Sequence, residues 1–186
     1  MSTQGEHSKT LILVAGPLAS GKSTLSKAIA RQLGYVCLNK DDIKEILGDT
    51  IGYANRAENL KLSVATFSIM RHAMARILDA TQGVVLESNF RDHEYRQLME
   101  DARARDIRVV TLFVTADDDV LYERFKKRHP SRHHVHTSVG LPDREGFTDW
   151  IVRYSDVPYK DEAIVVDTTD FTTVSVDAIV EAINAK

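Results

Sequence analysis

The run from Gly16 to Thr24, Gly-Pro-Leu-Ala-Ser-Gly-Lys-Ser-Thr, constrains this 186-residue chain more than any other feature. It matches the pattern G-x-x-x-x-G-K-[ST], follows the apolar residues 10–15 and opens into a helical pattern over 22–33. Glycines let the backbone wrap closely, so that successive N–H groups point at one anion beside a helix N-terminus. The run predicts a strand, a phosphate-binding loop and a helix, whereas a chance glycine-rich turn would not carry these flanks.

This phosphate loop, residues 16–24, is of the type that holds a nucleoside triphosphate. Lys22 can reach the β- and γ-phosphates, and the Ser23 hydroxyl can ligate Mg²⁺. ATP and Mg²⁺ are therefore the expected cofactors. The residues expected to bind ATP through the loop are Gly16, Leu18, Ala19, Ser20, Gly21, Lys22, Ser23 and Thr24.

Short apolar runs alternate with helical patterns along the chain, which predicts an α/β fold. Strands are predicted at 10–15, 35–38, 83–87, 107–114 and 163–166. Helices are predicted at 22–33, 41–47, 57–81, 92–105, 117–129 and 174–185. Four of the strands are near-continuous in Val, Ile and Leu, which is typical of parallel strands covered on both faces. The alternation indicates a three-layer α/β/α sandwich around a five-stranded parallel sheet.

The length and an apolar content of 43% suit one domain, over residues 1–186. Within it, residues 48–82 form the predicted acceptor-binding helical region. Residues 129–146 are basic and rich in histidine, and they are predicted to be a mobile lid over the nucleotide. Trp150 lies at helical apolar spacing and is expected to pack against the core.

Composition also bears on partners and location. A net charge of −3 with mixed signs argues against a protein that acts mainly on polynucleotides. The polar residues 1–9 lack the apolar core of a signal peptide, and no apolar stretch has the length of a membrane span. Cys37 is the single cysteine, so an internal disulfide is excluded. Together these features predict a cytoplasmic location and no membrane partner.

Two aspartates follow the second predicted strand, in Asn39-Lys40-Asp41-Asp42. Because the carboxyl ends of neighbouring parallel strands share a crevice, a carboxylate here can face the phosphate loop. It can orient an acceptor hydroxyl and take its proton during phosphoryl transfer. The alternative is that Asp41 or Asp42 only caps the following helix.

The phosphate loop followed by Leu38-Asn39-Lys40-Asp41-Asp42-Ile43-Lys44 resembles the opening of the polynucleotide 5′-kinases. The resemblance implies that Asp41 is the general base and that Lys44 contacts the acceptor. It also implies a kinase-type P-loop fold, for which we expect the sheet order 2-3-1-4-5. Arg56 and Arg91 are further candidates for contacts to the substrate.

The run Gly83-Val84-Val85-Leu86-Glu87-Ser88-Asn89-Phe90-Arg91 is similar to the third-strand end of zeta-toxin-type kinases. This similarity implies that Glu87 and Asn89 line the acceptor site or hold water around Mg²⁺. The alternative is that Glu87 is a strand-end carboxylate paired with Arg91.

Arg124 and Arg128 lie four residues apart, on one face of a predicted helix. In adenylate-kinase-like enzymes, arginines with this spacing open the lid, and the resemblance implies that Arg124 packs on the adenine and Arg128 touches the transferred phosphate. Arg132 is a further lid candidate. The alternative is a solvated basic helix end, where cations are favourable in any case.

These observations predict an ATP-dependent phosphotransferase that acts on an alcohol group of a small molecule, with Asp41, Lys22 and Arg128 as the catalytic residues. Two alternatives stay open, a polynucleotide 5′-hydroxyl kinase and a non-catalytic ATP-binding switch. The histidines of the lid suit a flap that becomes more cationic below neutral pH better than they suit a zinc site, because no cysteines accompany them.

Overall fold

Five parallel strands form one sheet in the computed structural model, which describes residues 9–136 and 142–186. The strands are β1 (Thr10–Ala15), β2 (Val36–Asn39), β3 (Gly83–Glu87), β4 (Arg108–Thr115) and β5 (Ile164–Asp167). They lie in the order β2-β3-β1-β4-β5, and each neighbouring pair is parallel. The predicted parallel sheet and its order are therefore confirmed.

Helices cover both faces of this sheet, because alternate side chains of each strand point to opposite sides. The helices of the described residues are α1 (Lys22–Leu33), α2 (Lys40–Ile51), α3 (Arg56–Ala80), α4 (Asp92–Ala104), α5 (Asp118–Arg128), α6 (Arg144–Ser155) and α7 (Val176–Ala185). Leu11 and Leu13 of β1 are fully buried in a cluster with residues of α3 and α4. Ile12 and Val14 are fully buried in a second cluster with residues of α1 and α7.

Helix α6 was not among the predicted helices, and its first residues, 144–146, were assigned to the lid. Phe147 is fully buried and Ile151 is 6% exposed, and both pack against Phe125 of α5 in a third apolar cluster. Trp150 is packed against the same cluster, as expected. The other boundaries lie within two residues of the predicted ones, except that α2 continues four residues beyond the predicted 41–47, to Ile51.

The lid segment, residues 129–136, is docked on α2 rather than standing clear of it. It forms two short 3-10 turns, His129–Ser131 and His134–His136, and Val135 between α2 and α3 is only 1% exposed. Residues 137–141 of the predicted lid lie outside the described residues. Among residues 9–136 and 142–186, no helix has the length and apolar character to cross a membrane.

The close approach of β1 to β4 predicts the effect of a substitution at Gly16. A Cβ built there would lie 2.0 Å from the carbonyl oxygen of Val114, and φ at Gly16 is +137°. We expect Gly16→Ala to lower the free energy of unfolding by about 3 kcal/mol, because backbone strain and overlap of the Cβ with the Val114 carbonyl both contribute.

Gly34→Ala is the matched control: φ at Gly34 is +69° and no atom lies within 4 Å of the added Cβ, so a loss of about 1 kcal/mol is expected. Urea unfolding followed by circular dichroism compares the two, and equal losses would contradict this role of Gly16.

Candidate active site

The phosphate loop connects β1 to α1 at the carboxyl edge of the sheet. Gly16, Ala19 and Gly21 have φ values of 137°, 62° and 91°, all in the left-handed half of conformational space. Left-handed residues alternating with ordinary ones turn successive backbone N–H groups toward a common centre, which creates an anion-binding concavity. The first turn of α1 has no side-chain cap, so the N–H groups of its first two residues add to this concavity, while the Thr24 N–H donates to the Gly21 carbonyl oxygen at 3.1 Å.

Lys22 is buried at the base of this loop, and its Nζ donates to the carbonyl oxygen of Pro17 at 2.6 Å. Burial lowers the pKa of Lys22, while the carboxylates of Glu87 and Asp41 raise it. Arg128 at the end of α5 and Arg132 of the lid segment lower the pKa of Lys22 by repulsion. Charged side chains of β3, α2, α5 and the lid segment therefore all act electrostatically on Lys22.

Glu87 at the end of β3 links the loops that follow three neighbouring strands. One of its oxygens, Oε2, accepts a hydrogen bond from Ser23 Oγ at 3.1 Å and another from Asn39 Nδ2. Burial raises the pKa of Glu87, and Lys22 opposes that shift. The alternative pairing with Arg91 is not formed: no ion pair joins the described side chains of Glu87 and Arg91, and Arg91 is exposed.

Asn39, and neither aspartate, caps α2. Its Oδ1 accepts from the backbone N–H of Asp41 at 2.8 Å and of Asp42 at 3.4 Å. Asp42 forms an ion pair with Lys27 at 3.2 Å. The capping alternative for the aspartates is therefore wrong, and Asn39 is a residue that the sequence reasoning missed. An asparagine directly before a helix is the signal that could have identified it.

Asp41 points toward the lid segment. Its Oδ2 lies 3.8 Å from Arg132 Nη2, and its Oδ1 lies 3.8 Å from His136 Nδ1. The Asp41 side chain is 56% exposed, whereas those of Arg132 and His136 are 15% and 8% exposed. The carboxylate is thus open to solvent on one side and bordered by lid residues on the other.

The residues predicted on the acceptor side are only partly brought together. Lys44 Nζ donates to Asn59 Oδ1 at 2.7 Å, and Asn59 Nδ2 donates to the carbonyl oxygen of Val135 at 3.0 Å. Burial lowers the pKa of Lys44, and Asp41 raises it.

Asn89 Oδ1 is buried and has no hydrogen-bond partner among the described residues. Arg56 is exposed at the start of α3, and its side chain forms no hydrogen bond or ion pair with any described residue, so the structure offers nothing in favour of its predicted role.

Arg124, predicted to pack on the adenine, is hydrogen-bonded to the loop after β5. Arg124 Nη2 donates to the carbonyl oxygens of Thr168 at 2.7 Å and Thr169 at 3.3 Å. The hydroxyl group of Thr168 lies within hydrogen-bond distance of two carbonyl oxygens, 2.8 Å from that of Ser20 and 2.9 Å from that of Thr115, and it can donate to either. This fully buried threonine ties the phosphate loop to the loop after β5, and no sequence signal marked it.

The remaining site residues predicted in the phosphate loop and near the lid are either packed against the fold or exposed to solvent. Leu18 and Ala19 pack against the cluster formed by α5 and α6. Thr24 and Arg128 are exposed. Arg132 lies with its guanidinium 5.7 Å from the centre of the Phe125 ring and 3.8 Å from Asp41, so its side chain lies between α5 and the start of α2.

Histidines of the lid segment meet α2 as hydrogen-bonded pairs. Asp49, His133 and His134 place potential ligand atoms within 4.8 Å of one another. His133 already uses both ring nitrogens, since Nδ1 accepts from the Val135 N–H at 3.2 Å and Nε2 lies 3.0 Å from Asp49 Oδ1. The contact is thus fully explained as a tether between the lid and α2.

A family model described as an AAA domain matches residues 11–143, which is more than half of the chain. A nucleotide-binding protein of Pseudomonas putida (strain GB-1) is 28% identical over 125 residues, covering 64% of this chain and 38% of that protein. The chain thus spans well under half the length of this curated relative.

Solved structures show the same fold. A candidate kinase of Chloroflexus aurantiacus has a TM-score of 0.79 at 29% identity, covering 96% of this chain and 98% of that chain. Shikimate kinase of Bacteroides thetaiotaomicron has a TM-score of 0.59 at 18% identity over 95% and 97% of the two chains. A chain of the Pnkp1/Rnl/Hen1 RNA repair complex has a TM-score of 0.60 at 14% identity over 86% and 47%. The predicted kinase-type P-loop fold is confirmed.

Burial of Glu87 predicts a pH-dependent stability. Because its pKa is raised in the fold, the folded state binds more protons than the unfolded state above the ordinary value of 4.5, so stability falls as pH rises through the folded pKa. Glu87→Gln keeps an oxygen for Ser23 and Asn39 and removes the charge. We expect it to raise Tm at pH 7.5 by about 2–4 °C, equal to about 1 kcal/mol, and to lose this gain near pH 4.

Thermal unfolding across pH 4–8 without nucleotide measures this difference. Glu123→Gln is the control, because Glu123 is an exposed carboxylate paired with Lys126 at 2.8 Å, and its loss should change little at any pH. A lower Tm of Glu87→Gln at pH 7.5 would show that the carboxylate stabilises the fold and would contradict the prediction.

Proposed function

This chain belongs to the AAA domain family, and we propose that it transfers the γ-phosphate of Mg·ATP to a hydroxyl group of a small molecule. The observation that supports this most is that Glu87 accepts hydrogen bonds from both Ser23 and Asn39, so that the phosphate loop and the start of α2 meet at one edge of the sheet and bring Lys22 and Asp41 to the same side of it. Transfer to an alcohol needs a cation beside the phosphate chain and a base beside the hydroxyl, and these two residues supply them.

ATP would be held by the backbone N–H groups of the phosphate loop and by Lys22. The Lys22 ammonium now donates to the neutral carbonyl of Pro17, in a buried position that lowers its pKa. A phosphate oxygen in place of that carbonyl gives the ammonium an anionic partner and favours its charged form. The buried lysine is therefore set to gain stabilisation when a triphosphate binds.

Oxygen atoms of the kind that Mg²⁺ prefers lie together beside Lys22. The Ser23 hydroxyl donates to the Glu87 carboxylate at 3.1 Å, and both residues would hold the ion. When bound, Mg²⁺ neutralises charge on the β- and γ-phosphate oxygens.

Asp41 is the proposed general base. Its carboxylate is open to solvent on one side, so an acceptor hydroxyl can reach it, donate a hydrogen bond and give up its proton as the acceptor oxygen attacks the γ-phosphorus. Arg132, 3.8 Å from Asp41, and Arg128, at the end of α5 directly before the lid segment, would stabilise the transferring phosphoryl group. Arg124 would sit beside the adenine, anchored by the Thr168 carbonyl.

The acceptor site would lie between α2, the start of α4 and the lid segment. Lys44, Asn89 and Arg91 would line it, with Arg56 at its edge. A net charge of −3 supports a small molecule over a nucleic acid as the acceptor, and the single cysteine supports a location in the reducing cytoplasm.

A polynucleotide 5′-hydroxyl is the second candidate acceptor, and the fold shared with a chain of the RNA repair complex is what favours it. The two acceptors differ in their response to salt. Binding of a polynucleotide weakens steeply between 50 and 200 mM salt because condensed counterions are released, whereas binding of a neutral alcohol does not. A protein that binds ATP and phosphorylates neither class would be a switch.

Substitution of the two neighbouring aspartates tests the base. We expect Asp41→Asn to keep ATP affinity within about threefold and to lower transfer by about 10²–10⁴-fold, because the amide cannot accept the proton. Asp42→Asn is the matched control, since Asp42 is the next residue of the same helix turn and pairs with Lys27, and its transfer rate should stay within about twofold.

Transfer is measured with labelled ATP and a mixture of polyols, hydroxy acids and nucleosides, and affinity with a fluorescent ATP analogue. Loss of nucleotide affinity in parallel with transfer, or an equal loss in both variants, would contradict the assignment of Asp41 as the base.

A further inference from the structure

A histidine from the lid segment lies between two carboxylates of α2. His136 Nε2 is 3.1 Å from Glu45 Oε1, within hydrogen-bond distance, and His136 Nδ1 is 3.8 Å from Asp41 Oδ1. The imidazole is only 8% exposed, whereas the side chains of Glu45 and Asp41 are 38% and 56% exposed, so the ring is buried while both carboxylates stay in reach of water. Asp41 and Glu45 lie four residues apart on one face of α2, and the ring spans the space between them.

The chemistry of the partners fixes which ring nitrogen carries the proton. A carboxylate can only accept, so Nε2 must donate to Glu45, and a neutral ring then leaves a lone pair on Nδ1. That lone pair faces Asp41. Burial lowers the pKa of His136 below its ordinary 6.5, against the opposing effects of Asp41 and Glu45, so the neutral ring is the form expected at neutral pH.

We propose that His136 acts through Asp41 as a proton acceptor that the lid brings to the catalytic base. This inference rests on the proposed phosphoryl transfer. The acceptor O–H bond breaks and its proton moves to Asp41, while the acceptor oxygen bonds to the γ-phosphorus and ADP leaves with the electron pair of the broken P–O bond. The proton then moves from the Asp41 carboxyl group to Nδ1 of His136, which restores the carboxylate and leaves an imidazolium that donates to Glu45.

The location of His136 on the lid segment gives this proton transfer a direction. Lid docking brings His136 to Asp41, and lid opening would carry the imidazolium into solvent, where it releases its proton. The 3.8 Å separation of Nδ1 and Oδ1 is longer than a hydrogen bond, and such contacts shorten when substrates bind and the site closes. The charged and titratable groups around the ring come from α2 and from the lid segment itself: Asp41, Lys44, Glu45, Arg132 and His133.

The state of the ring can be read without any catalysis. Nitrogen-15 NMR of the whole protein, with the His136 signals identified by their loss in His136→Gln, should show the Nε2–H tautomer at pH 7.5 and a pKa below 6.5. Glu45→Gln should lower that pKa further, because the opposing carboxylate is removed. An Nδ1–H tautomer, or an imidazolium at pH 7.5, would overturn the proposal even if the protein is a kinase.

Kinetics test the step itself. With Mg·ATP and water as the acceptor, wild-type phosphate release should decline as the pH falls through the His136 pKa, since a protonated ring cannot take a proton. His136→Gln keeps a donor for Glu45, and we expect about a tenfold lower plateau and no inflection at that pH. His133→Gln is the matched control, because it removes the neighbouring tether to Asp49 and should leave the inflection in place.

The outcomes separate this step from the function it rests on. An unchanged inflection in His136→Gln, or the same loss of rate and inflection in His133→Gln, would mean that the histidine only docks the lid, and would overturn the relay. If Asp41→Asn instead releases phosphate at the wild-type rate while the ring has the expected tautomer, the proposed base is wrong and the relay fails with it.

Discussion

The chain turns at Gly16 so close to β4 that a Cβ there would lie 2.0 Å from the carbonyl oxygen of Val114. The position of the whole site depends on this turn. Because β1 lies between β3 and β4, the chain must leave the central strand and turn at once into α1. Only glycine fits at this turn, because any Cβ would overlap the carbonyl oxygen of Val114. The N–H groups of the phosphate loop are thereby fixed at the carboxyl edge of the sheet, next to the loops that follow β2 and β3.

Two ionisable side chains are buried at this edge of the sheet in the ligand-free protein. Lys22 and Glu87 are both desolvated, and each has its pKa shifted toward the neutral form. Such groups cost stability in the free protein, which is expected where a site is arranged for a highly charged ligand. Hydrogen bonds from Ser23 and Asn39 hold Glu87 in place, and the buried hydroxyl of Thr168 ties the phosphate loop to the loop after β5.

The sheet and the phosphate loop could be predicted from the sequence because both are encoded locally, by apolar runs and by a short glycine motif. The docked lid could not, since it depends on contacts between distant residues, such as Val135 with the backbone at Gly48. The spacing around Trp150 is helical, but the sequence did not show that α6 begins within the predicted lid, because Phe147 contacts its partner, Phe125, only in three dimensions. The cap at Asn39 was missed for another reason: the aspartates beside it carry the same capping propensity.

The proposed transfer requires that the terminal phosphate of ATP binds between Lys22 and Asp41. A crystal structure with Mg²⁺ and a non-hydrolysable ATP analogue measures this directly. We predict that the γ-phosphate lies against Lys22, that the ion lies beside Ser23 and Glu87, and that the Asp41 carboxylate faces the phosphate across a gap that fits an alcohol. A phosphate chain bound elsewhere, or an Asp41 turned away from it with the lid closed, would contradict the proposed transfer.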